Sequence, residues 1–160
     1  GVAARASTVS RSAYAGAFTE LRAVGTARAG GFATTTSHTF TPKSIATKWT
    51  VRGGGRRGSV DVLFPSWGKA ARILAVMKDG SRVRVTDTRI GLARIARLEI
   101  QSADATYTVT PLSRPAGATA HLIATRAQSS APDPGPSLGI QLARAKAVKT
   151  VSFAARITVQ

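Results

Sequence analysis

Arg72–Asp87 reads RILAVMKDGSRVRVTD, two apolar-rich runs hinged on Asp79–Gly80. An Asp-Gly pair supplies the positive φ angles of a type I′ turn, whose twist matches two flanking antiparallel strands. A two-residue loop then sets the register. Lys78 faces Ser81, Val76 faces Val83, Leu74 faces Val85 and Arg72 faces Asp87. That set reads as the core face, ended by an exposed Arg72–Asp87 ion pair. Such a pair is worth only about 0–1 kcal/mol, so the aliphatic contacts decide the register. Ala75 with Arg84 and Met77 with Arg82 fall on the other face.

The same period-two rhythm recurs on both sides of this hairpin. Ile45, Thr47, Trp49 and Val51 alternate with Ala46, Lys48, Thr50 and Arg52, and Val60, Val62 and Phe64 alternate with Asp61 and Leu63. Tyr107 and Val109 alternate with threonines, and Phe153, Ala155, Ile157 and Val159 close the chain. Such alternation predicts half-buried antiparallel strands. Gly91–Ile100 places Leu92, Ile95 and Leu98 at near-helical spacing, but Ala96, Leu98 and Ile100 continue the alternation, which favours a strand. Leu138–Lys149 reads either as a helix capped at Ser137 or as a returning strand, since Ala, Leu, Arg and Lys favour helix. Gly53–Gly58 reads as a loop holding Arg56 and Arg57 at a flexible hairpin tip. Ser129–Ser137, with three prolines and a glycine, reads as a long connection. The pattern predicts one all-β domain over residues 1–160, an antiparallel β-sandwich or jelly roll of about ten short strands. It stands alone, or as a fragment or appendage of a longer chain.

Twenty-three Lys and Arg face seven Asp and Glu, a formal net charge of +16 over 160 residues. Solubility alone asks for a magnitude of roughly 2–8 in a small domain. The excess points to a polyanionic partner. With 43% apolar residues the chain is not a disordered basic tail. Two causes share the arginine preference: a GC-rich coding sequence, which also enriches alanine, and the bidentate grip of guanidinium on carboxylate, sulfate or phosphate. The absence of cysteine excludes disulfides and thiolate metal sites. No stretch approaches the ~20 apolar residues of a membrane span. The start at Gly1 fits a processed secreted protein or a piece of a longer chain.

Catalytic equipment is sparse. His38 and His121 lie far apart in sequence without metal-spacing neighbours, so no metal or cofactor is expected. Asp79 makes the turn, Asp87 is assigned to Arg72, and Asp133 lies in the proline-rich connection. Gly53–Gly55 lacks the Lys-Ser/Thr ending of a phosphate-cradling loop. The basic residues offer more. Arg82 and Arg84 share a face about 6.5–7 Å apart, a spacing suited to successive anionic groups of a linear polymer. Arg52, Arg56 and Arg57 form a second group. Lys69 and Arg72 follow Trp67, whose place after Pro65 suits stacking on a sugar. Trp49, in phase with Ile45 and Val51, reads as core. No helix-turn-helix, zinc finger or aromatic RNA-binding signature is present, so nucleic acid is a partner only through charge, as in a virion or other structural protein.

Two resemblances add to this reading. The runs Ser37–Trp49 (SHTFTPKSIATKW), Asp61–Ile73 (DVLFPSWGKAARI) and Ser129–Leu142 (SSAPDPGPSLGIQL) resemble the C-terminal β-sandwich of secreted bacterial polysaccharide-active proteins, heparinase-like lyases among them. In those lyases much of the catalytic apparatus sits on an α/α-toroid, which this chain lacks. The resemblance therefore implies an extracellular accessory module that binds acidic polysaccharide or supports a catalytic domain or partner chain. Thr19–Arg22 (TELR) resembles a strand motif of jelly-roll alginate lyases, without that family's Gln-Ile/Val-His motif. It singles out Glu20; the histidines do not sit in that family's contexts, and the alternative reading of the chain, a β-eliminating polysaccharide lyase or part of one, takes Glu20 and His38 as its candidates.

Overall fold

The computed structural model describes residues 5–10, 21–64, 71–103, 105–123 and 137–160. The alternating segments form eleven antiparallel strands among these residues. They are β1 (Arg5–Ser10), β2 (Leu21–Ala29), β3 (Phe32–Thr41), β4 (Ser44–Leu63), β5 (Arg72–Met77), β6 (Arg82–Arg84), β7 (Ile90–Gly91), β8 (Ile95–Gln101), β9 (Thr106–Pro111), β10 (Thr119–Ile123) and β11 (Ser137–Val159). Nine are short; β4 and β11 run 20 and 23 residues. No helix among the described residues is long and apolar enough to cross a membrane.

The two long strands organise the rest. They pair from Ser44–Thr158 to Leu63–Gly139, and β3, β2 and β1 extend the sheet outward from β4. On its other side β11 forks. Its first residues, Ser137–Gln141, pair with β10, and its last, Ala155–Val159, pair with β9. From β9 the sheet continues through β8 and β5 to β6. The two arms then meet. The Val85 amide donates to the Ile73 carbonyl (2.9 Å), and the Leu122 amide donates to the carbonyl of the next residue, Thr86 (2.6 Å). A circuit of backbone bonds thus leaves β11 through β9, β8 and β5 and returns through β10. The expected all-β antiparallel fold is present as a curled sheet around one core.

That core takes the inward alternate residues of both arms: Ile73, Ala75, Met77, Leu98, Ile100 and Val109 from one, Val62, Phe64, Ala120, Leu138 and Ile140 from the other. Trp49 joins it as expected, stacked on Phe153 (centroids 5.5 Å, planes at 13°) and edge-on to Phe64 (5.4 Å, 66°).

The β5–β6 hairpin differs from the expected one by a single residue. The Gly80 amide donates to the Met77 carbonyl (3.0 Å) and the Met77 amide to the Ser81 carbonyl (2.8 Å), with Gly80 at φ +86°. This is a three-residue loop, a type I turn closed by a left-handed glycine, rather than a two-residue type I′ turn. Asp79 secures it by accepting from the Ser81 amide (2.9 Å) and hydroxyl (2.6 Å). Val76 therefore faces Arg82, Ala75 faces Val83 and Leu74 faces Arg84. Arg72 faces Gln101 on β8, and no ion pair joins it to Asp87 among the described residues. Arg82 and Arg84 point outward as expected, but β5 is inverted, with Ile73, Ala75 and Met77 inside. The cause is the sequence of β5, apolar on both faces, which leaves its alternation unable to choose. Val76, facing outward between Arg82 and Arg97, is still only 6% exposed.

Gly53–Gly58 is not a hairpin tip. It lies inside β4, where Arg52 faces Thr150 and Arg56 faces Val148, so β4 carries two extra residues between those pairs. Gly54 (φ +55°) and Gly55 (φ +86°) absorb them as a bulge. Leu92–Arg94 makes one 3-10 turn before β8 begins at Ile95, which reconciles the near-helical spacing there with the alternation that follows. Leu138–Lys149 is strand, not helix. The proline-rich connection before Ser137 lies outside the described residues.

Candidate anion-binding face

Two tight turns place three strands in fixed register, and pairing with β4 adds β11. Gly30 (φ +57°) and Gly31 (φ +82°) form a two-residue turn that sets Ala29 opposite Phe32. Pro42–Lys43 sets Thr41 opposite Ser44, and the Thr41 hydroxyl accepts from the Ser44 amide (3.0 Å). Trp49, Val51 and Phe153 point to the core, so their sequence neighbours point out. Across β2, β3, β4 and β11 the outer face then reads in four rows: Arg28, Ala33, Arg52, Thr150; Thr26, Thr35, Thr50, Ser152; Val24, Ser37, Lys48, Ala154; and Arg22, Thr39, Ala46, Arg156.

Those sixteen positions hold Arg22, Arg28, Lys48, Arg52 and Arg156, all exposed, and no carboxylate. Seven of the remaining positions are Thr or Ser. Thr50 Oγ1 and Ser152 Oγ lie 3.1 Å apart, so neighbouring hydroxyls are ordered against each other. Arg28 and Arg52 sit two strands apart, about 10 Å; Lys48 and Arg52 sit four residues apart, about 13 Å. Arg56 belongs to the same end of the face: a Cβ built on Gly31 would meet its guanidinium, so it lies over the β2–β3 turn.

The cations named from sequence therefore divide. Arg52 and Arg56 adjoin this face, and Arg57 follows on β4 opposite Ala147. Arg82 and Arg84 lie on β6, separated from the face by β9, β8 and β5. Arg82 Nη2 lies 3.5 Å from Glu99 Oε2, while Arg97 donates to Glu99 Oε1 through Nε (3.0 Å) and Nη2 (2.8 Å). That second group thus shares its charge with an acid. Glu20, Trp67 and Lys69 lie outside the described residues. Arg22, Arg28, Lys48 and Arg156 were not singled out from sequence. Their signal was the Gly30–Gly31 pair, which fixes the β2–β3 register and hence which residues align with Arg52.

The histidines occupy other surroundings. His38 Nδ1 lies 2.9 Å from the Thr47 hydroxyl, its ring 5.8 Å from that of Phe40, and burial lowers its pKa below 6.5. The pocket beside it holds no carboxylate, arginine, lysine or tyrosine among its described lining. His121, 6% exposed, faces Gly139 across the β10–β11 pair, with Nε2 3.7 Å from Asp61 Oδ1. Burial lowers its pKa; Asp61 opposes that shift and Arg89 adds to it. Arg89 is itself held by Gln141, donating from Nε to Oε1 (3.1 Å). Among the described residues no three His, Asp or Glu side chains group as a metal site would. No family model and no curated protein matches this chain.

Proposed function

We propose that this chain is a non-catalytic module that binds an acidic polysaccharide through the outer face of β2, β3, β4 and β11. One observation carries the reading: five exposed cations and seven hydroxyls share sixteen adjacent positions without a carboxylate. Cations spaced by about 10–13 Å suit a polymer whose charges recur at intervals, and the hydroxyls between them suit its sugar hydroxyls. The face carries no aromatic side chain on which bases would stack, which favours polysaccharide over single-stranded nucleic acid. A β-eliminating lyase needs a base beside a group that neutralises the uronate; among the described residues lining the pocket beside His38 there is no cation. The resemblance to the accessory sandwich of secreted polysaccharide-active proteins accords with this reading and supports an extracellular setting beside a catalytic domain.

Titrating salt into mixtures with heparin, alginate and duplex DNA tests it. Both polysaccharides should bind at about 50 mM salt and be released as counterions are restored. Failure to retain either polysaccharide at that salt would sink the proposal, and tighter binding to DNA than to both would transfer it to nucleic acid. Unsaturated product appearing from either polysaccharide would make the chain a lyase.

A further inference from the structure

The inner face of β2, β3 and β4 continues past the enclosed core as a groove. A pocket of about 530 Å³ lies against His38, Phe40, Ile45, Trp49 and Ile157. A second, of about 650 Å³, shares Ile45 and Ile157 with it and ends at the Pro42–Lys43 turn beside Tyr107. Volumes of roughly 300–1,000 Å³ with apolar walls and few polar groups are those of small-molecule sites. Leu63 at one end is 51% exposed and Val159 at the other 60%, apolar surface that a ligand would remove from water.

The charges in this groove are few and placed. Among the described residues the first pocket has no charged lining side chain; its imidazole, His38, is occupied at Nδ1 by Thr47. In the second, Lys43 at the turn is the single charged side chain among the described lining, and no carboxylate lines either. From Lys43 to Trp49 the strand advances six residues, about 20 Å. One monolayer of acyl chains, half of a hydrocarbon core about 30 Å thick, is shorter than that.

We propose that this groove binds a free long-chain carboxylate, its tail along Ile157, Ile45, Phe40 and Trp49 and its head at Lys43. The groove and the cation-bearing outer face are formed by alternate residues of the same strands except at Thr26, which belongs to both, and none of the five cations lines the groove.

Dodecanoate below its micellar concentration is the probe, with a Trp67→Phe protein so that fluorescence reports Trp49. The emission should change saturably. Gly25 lines the first pocket and a Cβ there meets nothing within 4 Å, so Gly25→Leu starts its side chain in open space at the groove. It should weaken dodecanoate about tenfold or more, with heparin retention unchanged. Lys43→Glu, on an exposed turn, should weaken it about fivefold. No saturable change, or equal affinity in Gly25→Leu with an unaltered circular dichroism spectrum, overturns the proposal. So does a dimer in sedimentation that Gly25→Leu dissociates, which gives the groove to a second copy. Binding to vesicles but not to monomeric dodecanoate also overturns it.

Discussion

At Gly53 the absence of a side chain is a packing requirement. A Cβ there would come within 2.6 Å of the Val148 carbonyl oxygen and 2.7 Å of the Phe32 ring. The backbone oxygen belongs to β11 and cannot swing aside, so Gly53→Ala should cost about 1–3 kcal/mol, read as a lowered urea midpoint. Gly53 thus fits Phe32 beneath the β4 bulge, a role invisible in a Gly-Gly-Gly run that reads as a loop. The histidines set a pH dependence at the same scale. Both His38 and His121 are held below 6.5 in the folded chain, chiefly by burial. The unfolded chain therefore takes up protons first as pH falls, so stability is full above about pH 6.5 and declines below it. The urea midpoint should drop between about pH 7.5 and 5.5, and His121→Gln should make that drop shallower. A midpoint that rises on acidification contradicts the assignment.

Elements were legible where their two faces differ and illegible where they do not. Ile45–Arg52 alternates apolar with polar, and its faces followed directly. In β5, apolar throughout, only the turn could set the register, and Asp-Gly serves either a two-residue or a three-residue loop. The Asp79 hydrogen bonds to Ser81 favour the longer one, placing Gly80 alone in the left-handed region. Gly80→Ala should consequently cost about 1–2 kcal/mol, and Gly80→Asn, which tolerates that region, markedly less. Equal losses for the two would mean that φ is not what glycine provides there. Leu138–Lys149 was ambiguous for a different reason. Its residues favour helix, and pairing with β4 overrides that preference by covering its edge, which propensity does not report.

Over the whole molecule, composition displayed the charge but not its placement. Arg52 and Arg56 were legible as a pair because they are neighbours in sequence. Arg28 and Arg156 join them only through registers spanning four strands, and Arg156 lies more than a hundred residues from Arg52. A site assembled by sheet register leaves no spacing motif, which is why the hairpin pair Arg82–Arg84 looked as promising as the residues of the larger face. The distinction can be tested at constant net charge. A variant with Arg28, Lys48, Arg52 and Arg156 changed to Ser loses four charges from the face. A second, with Arg72, Lys78, Arg84 and Arg94 changed to Ser, loses four exposed charges from the β5–β8 region. If diffuse charge drives association, both variants weaken polysaccharide equally. If the outer face binds, the first loses affinity and the slope of log affinity against log salt falls by roughly one for each contact removed, while the second keeps nearly the parent slope. The neutralising contact from Arg82 and Arg97 to Glu99 already lowers the effective charge of the second region, so the outer face is expected to dominate.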